Sequence, residues 1–248
     1  MSTPLIDYLR DVVQHTYGLG FIDLVKAVGT TEETSIAAIA DDRSVIIQAT
    51  CKAPMKEFVG STVGLPNLQK LNIILNIPEY KEGASVKATK VTKDGAEVVS
   101  GLHFENKAGD FKNDYRFMSQ EIVNEKLRTV KFKGVKWNVD FEPTNNAIQR
   151  LKYMAQANSE ESVFNATSVN GKLVFSFGDH STHAGNFVFC DLPGGELKKE
   201  WKWPVAAIIA ILSLAGDKTF KMSDEGAAMI TVDSGLFDYE YIIPAQQK

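Results

Sequence analysis

Apolar residues recur along the chain in two rhythms. Leu5, Leu9, Val12 and Val13 have helical spacing, with Thr3 placed to cap the helix and Pro4 suited to its first position. Gly18 and Gly20 end it. Alternating stretches at 21–28, 34–40, 44–51 and 58–63 predict strands. The helical period returns over 66–77, where Leu68, Leu71, Ile74 and Leu75 share a side. Strands are predicted again at 84–92, 96–104 and 114–118, with Lys93-Asp94-Gly95 as a hairpin turn.

The same order then repeats. A strand at 136–141 precedes a helix from Thr144 to about Asn158, whose apolar face is Ala147, Ile148, Leu151, Met154 and Ala155. Strands follow at 162–169, 172–178, 186–190 and 197–202, with Asn170-Gly171 as a tight turn. Pro204 opens an apolar helix to about Leu214, and strands at 218–223, 227–233 and 238–243 close the chain. Pro66 and Pro204 lie 138 positions apart, Thr3 and Thr144 141, and Cys51 and Cys190 139. Under this offset Ile73-Ile74 sits opposite Ile211-Leu212. Order and spacing together predict an internal duplication. The expected class is α+β: two domains, 1–120 and 135–248, each with two helices packed on antiparallel sheets. The linker is expected at 121–134, within a polar stretch over 119–134 that lacks an apolar period.

With 248 residues, 44% of them hydrophobic, the chain can bury a sizeable core and is not disordered. Lys+Arg 27 against Asp+Glu 31 gives a net charge of −4. That balance argues against a protein that holds nucleic acid by charge alone. The longest apolar run, 205–215, is shorter than the roughly 20 residues a spanning helix needs, so no membrane association is expected. The first ten residues lack a basic start followed by an apolar stretch, and two isolated cysteines suit a reducing compartment. A cytoplasmic location is the expectation.

Enzymatic signatures are absent: there is no G-x-S-x-G, H-E-x-x-H, Walker loop or G-x-G-x-x-G. Asp179, His180 and His183 have a spacing that could share a metal, but they sit between two strand signals and read better as a polar loop. His15 and His103 are isolated in sequence, Asp41-Asp42 falls at a turn, and Cys51 and Cys190 read as structural thiols. No catalytic role, metal or cofactor is expected.

The helix faces turned from the core carry the remaining information. They present Asp7, Arg10, Asp11 and Gln14 on the first helix, and Gln69, Lys70, Ile73 and Asn76 on the second. The third presents Asn146, Gln149, Tyr153 and Gln156, flanked by Arg150 and Lys152; the fourth presents Ala206, Ala210 and Ser213. Such amide-rich faces with scattered cations can be ordinary solvated surface, or can touch a phosphate backbone without reading bases. Two alternating strands, at 114–118 and 186–190, are either sheet interior or edges able to pair with another subunit.

A duplicated domain of this order, with a tyrosine-rich closing strand ending in Ile-Pro-Ala, resembles the DNA sliding clamps. It is similar to those of large tailed bacteriophages and, beyond them, to proliferating cell nuclear antigen. The likeness covers essentially the whole chain and is strongest over 200–245, EWKWPVAAIIAILSLAGDKTFKMSDEGAAMITVDSGLFDYEYIIPA. It implies a homotrimeric ring around duplex DNA, not sequence-specific, that tethers the replicative DNA polymerase. An ATP-driven clamp loader opens the ring, and phage transcription factors form a further partner class. The ring would work in the cytoplasm of the infected host.

By position, the resemblance places Arg10, Lys70, Arg150 and Lys152 at the DNA, with help from Lys131, Lys133 and Lys136. It pairs the strand of Tyr115 and Phe117 with that of Phe187 and Phe189 at a subunit seam. It makes Ile39, Val45, Ile243, Pro244 and Ala245 the floor of a groove for a partner peptide. It also reconciles the net acidity with DNA, because encirclement needs cations only on the inner helices. The alternative class is a non-enzymatic structural or ligand-binding protein built from a duplicated β-rich domain.

Overall fold

The computed structural model describes residues 3–93, 95–128, 132–179, 183–192 and 194–246. The chain divides into two compact units, 1–130 with 234–239, and 131–233 with 240–248.

The first unit opens with α1 (Leu5–His15). Pro4, not Thr3, is its N-cap, and no side chain bonds to its first amides. Strands β1 (Leu24–Gly29), β2 (Thr34–Ile39), β3 (Ile46–Cys51) and β4 (Ser61–Pro66) follow. Phe58, expected to begin a strand, ends a short 3-10 turn instead and is buried. After β4 come α2 (Leu68–Leu75) and the strands β5 (Ser85–Lys93), β6 (Ala96–Glu105) and β7 (Lys112–Arg116). The sheet order is β4-β1-β2-β3, with β5-β6-β7 as a separate antiparallel sheet. Alternating burial along β1, β2 and β3 matches the predicted period of two.

Part of the stretch expected to be the linker is helical. Residues Gln120–Lys126 form α3, whose Val123 has no exposure. One buried valine and Leu127 are too few to register as a period in the sequence. The helix is anchored through β4: Gly64 and Met118 exchange backbone hydrogen bonds of 2.9 and 2.8 Å, and a Cβ on Gly64 would lie 2.9 Å from Val123. Residues 129–131, including Lys131, lie outside the described residues.

The second unit repeats the plan. Strand β8 (Val139–Phe141) precedes α4 (Asn145–Ala157), capped as expected by Thr144, whose hydroxyl accepts from the Ala147 amide at 3.1 Å. Then come β9 (Val163–Val169), β10 (Lys172–Phe177), β11 (Gly185–Asp191), β12 (Trp201–Pro204) and α5 (Val205–Leu212). Strands β13 (Asp217–Ser223), β14 (Ala227–Asp233) and the later part of β15 (Phe237–Pro244) end it, residues 237–239 of β15 belonging to the first unit. The order β12-β9-β10-β11 reproduces β4-β1-β2-β3 strand for strand. The two cysteines lie on the equivalent strands β3 and β11, and both are free thiols. Phenylalanines fill this unit: Phe164, Phe175, Phe177 and Phe220 are at most 1% exposed.

The prolines set the register between the repeats. Pro66 and Pro204 end equivalent strands, and one residue pair earlier in each, Gly64 and Lys202, makes the same isolated antiparallel bridge, to Met118 and Gln246. The helices that follow are offset by 137, not 138. Asn67 is inserted before α2, takes a left-handed conformation (φ 52°) and caps the helix by accepting from the Lys70 amide at 3.0 Å. Pro204 itself caps α5. The equivalent of Ile73 is therefore Ala210, and that of Ile74 is Ile211. Burial agrees: Ile73 is 59% exposed, whereas Ile74 and Ile211 are buried.

Candidate nucleic-acid interface and edge strands

The four candidate DNA-contacting cations fall into two kinds. Arg10 is tied down: its guanidinium donates to the Leu75 carbonyl at the end of α2 at 3.4 Å and lies 3.6 Å from Asp7. Arg150 donates to the Val188 carbonyl on β11 at 3.1 Å and stands over the Phe187 ring at 5.2 Å. Each helps hold a helix to its neighbour, which sequence spacing could not reveal. Lys70 is exposed and Lys152 half-buried, and neither has an ion pair among the described residues. Around them Gln69, Ile73 and Asn76 on α2, and Asn146, Gln149, Tyr153 and Gln156 on α4, are exposed as expected. Tyr153 is 66% exposed.

Asp11 departs from the expectation. Its side chain is only 11% exposed and accepts hydrogen bonds from the Ser234 hydroxyl at 3.0 Å and the Tyr239 hydroxyl at 2.7 Å. His15 is not isolated: its Nδ1 lies 2.9 Å from the Asp11 carbonyl, and its ring stacks on Tyr239 at 4.7 Å. The acid on α1 is thus part of the core packing and does not oppose a bound anion as an open charge. His103 likewise has a partner, Asp114 on the neighbouring strand, at 2.7 Å.

Both proposed seam strands are sheet edges: β7 ends β5-β6-β7, and β11 ends β12-β9-β10-β11. The rings on them face inward. Tyr115, Phe187 and Phe189 are 2%, 7% and 4% exposed, and the Tyr115 hydroxyl donates to the Pro66 carbonyl. Burial pushes the ionisation of Tyr115 well above the ordinary phenol range, with the Asp23 charge adding to it. Phe117 is half-buried, tilted against Phe58 at 5.7 Å. A partner strand would therefore meet backbone and the outward residues Asp114, Arg116, Asn186 and Val188, not these rings.

The groove residues also divide. Val45 and Ile243 have no exposure and belong to the cores of their units; Ile39 and Ala245 are half-buried and Pro244 is exposed. Val45, just before β3, and Ile243, in the continuously buried run 241–243 of β15, are too enclosed to floor an open groove.

Among the described residues no cluster of three His, Cys, Asp or Glu side chains could hold a metal ion; His180 lies outside them. Burial raises both thiols: Cys51 upward, and Cys190 to about 11, with Asp191 contributing. No helix of the described residues is long and apolar enough to cross a membrane.

A duplicated α+β domain with this strand order is the clamp fold of proliferating cell nuclear antigen (PCNA). Solved structures of that type superpose on nearly the full chain. PCNA from Thermococcus kodakaraensis matches with a TM-score of 0.69 at 13% identity, covering 97% of each chain. A. fulgidus PCNA, solved with the C-terminal region of FEN-1 bound, matches with a TM-score of 0.69 at 11% identity, covering 99% of this chain and 97% of that one. A Sulfolobus tokodaii PCNA2–PCNA3 complex matches with a TM-score of 0.65 at 11% identity, covering 97% and 96%. No protein-family model matches the sequence, and no curated protein matches it.

Proposed function

We propose that this chain is the subunit of a homotrimeric sliding clamp that encircles duplex DNA and serves as a non-enzymatic processivity factor for a replicative polymerase. The observation that carries the reading is the likeness of the whole duplicated chain, over 97% or more of its length, to PCNA-type clamps. The pseudo-symmetry supports assembly. Within the first unit the opening residues 237–239 of the closing strand β15 lie beside β3, and the Lys52 amide bonds to the Leu236 carbonyl at 2.9 Å. The repeat equivalents of β15 and β3 are β7 and β11, and both are open edges. Pairing β7 of one copy with β11 of the next repeats the internal junction between copies and closes a ring.

In that ring the exposed faces of α2 and α4 meet the phosphates, with Lys70 and Lys152 as the available cations and the surrounding amides as weak contacts. Arg10 and Arg150 contribute mainly as helix anchors. Ile39, Pro244 and Ala245 remain as accessible apolar surface for a partner peptide. A loader driven by ATP, a phage replisome as the setting, and phage transcription factors as additional clients complete the reading.

The test is topological. The protein is loaded onto nicked circular DNA and then the circle is cut. Retention on the circle with release on linearisation is expected; retention that ignores linearisation sinks encirclement. Sedimentation equilibrium should give a mass of three chains, about 82 kDa from the 27.3 kDa subunit.

A further inference from the structure

The first unit contains a cleft of about 320 Å³ bounded by β4 on one side and β6, β7 and the start of α3 on the other. Its walls are mostly apolar, with Val63, Val91, Val98, Val99 and Phe117 among them and Arg116 at the rim. Val91 and Val98 are 45% and 37% exposed, unusual for branched aliphatic side chains lining a concavity.

The second repeat shows what such a space accepts. Counting back from the prolines that end the equivalent strands β4 and β12, Val63 corresponds to Trp201. Trp201 lies on the turn between β13 and β14: a Cβ on Gly226 would lie 3.1 Å from its ring, and its indole N–H donates to the Asp224 carbonyl at 2.9 Å. In the first repeat the valine is too short to make that contact. There the β5–β6 hairpin runs on to Lys93 and Ala96 and leaves the cleft open. Along it β4 is a sheet edge whose only outer pairing is the isolated bridge at Gly64 among the described residues.

We propose that this cleft is a docking site for an extended segment of a partner protein that inserts one aromatic side chain next to a carboxylate. The aromatic ring takes the position that Trp201 occupies in the second repeat. The segment adds backbone pairing along β4 at Ser61–Val63. The carboxylate meets Arg116, which is exposed and has no ion pair among the described residues; of the two acids in the lining, Glu97 is matched by Lys90 at 3.3 Å and Glu121 is also engaged. The cleft lies within one unit of one chain, with Arg116 shared between it and the β7 edge given to the ring seam.

The probe is a fluorescein-labelled ten-residue peptide with a central Asp-Trp pair in a Thr/Val/Ser context, titrated by anisotropy with the full chain. Saturable binding is expected. Replacing the peptide Trp by Ala should weaken it at least about tenfold, as for loss of a buried aromatic anchor. Val98→Trp, at an exposed position with low folding risk, should fill the cleft and weaken binding by a similar factor, while Arg116→Ala should weaken it several-fold. Equal binding of the Trp and Ala peptides, no saturable binding, or binding unchanged by Val98→Trp overturns the proposal. If the peptide fails to bind and Val98→Trp instead lowers the oligomer mass, the cleft belongs to a contact with a second copy, which also overturns it.

Discussion

The Asp11 carboxylate accepts a hydrogen bond from the Tyr239 hydroxyl at 2.7 Å, joining the first helix to a strand 228 residues later. The Ser234 hydroxyl donates to the same oxygen, and His15 stacks on the Tyr239 ring. This network ties the end of the chain into the first unit. A hydrogen bond to a charged acceptor in such a place contributes about 1.5–3 kcal/mol. Tyr239→Phe should therefore lower stability by about that amount in urea denaturation with an unchanged slope. Asp11→Ala should cost more, because it removes the acceptor of the Tyr239 hydroxyl and leaves the Ser234 hydroxyl only the Phe237 carbonyl at 3.2 Å. Equal stability of Tyr239→Phe and the parent would show that water replaces the bond.

Under the proposed clamp role, Lys70 and Lys152 separate DNA contact from folding. Lys70→Glu with Lys152→Glu should shorten clamp lifetime on DNA and flatten its salt dependence, with the melting temperature unchanged. Arg150→Ala should behave differently. It removes the bond to the Val188 carbonyl and the contact with Phe187, so a stability loss of about 0.5–2 kcal/mol is expected. A variant pair with the opposite pattern would exchange the roles of the lysines and the arginine.

Gly64 allows the backbone of 117–119 to close against β4. A Cβ there would come within 2.9 Å of both Met118 and Val123. Gly64→Ala should cost about 1–3 kcal/mol by overpacking. It should also speed amide exchange over α3 well before the rest of the first unit exchanges. Uniform exchange across that unit would mean that α3 does not depend on this contact.

Cys190 is held in its neutral form chiefly by burial, with a pKa of about 11. At pH 8 the thiolate fraction falls from about one in ten for a pKa near 9 to about one in a thousand, so alkylation should be about a hundredfold slower than at an unperturbed thiol. The rate should climb through pH 10 to 11, since a raised pKa moves the reactive form to higher pH. Labelling by mass spectrometry, with Cys190→Ser as the control for Cys51, measures this directly. A plateau by pH 9 contradicts it.

The sequence by itself determined most of the elements, though not α3, together with their order and the duplication. Local rules decide these: strand alternation, helical periodicity, the Thr144 cap, and the prolines that end β4 and β12. Only the tertiary structure decided which polar groups on a helix are available. Arg10 and Lys70 look alike as exposed cations in sequence, yet a carbonyl at the end of another helix captures one and leaves the other open. Asp11 looked like surface because its partners lie more than two hundred residues away. The one-residue slip at Asn67 changed which residues of α2 and α5 are equivalent, pairing Ile73 with Ala210, because a cap is a matter of backbone angle that spacing cannot count. The edges at β7 and β11 and the open cleft beside β4 share that origin. Each is defined by what fails to pack against it, and only the folded chain shows which faces remain uncovered.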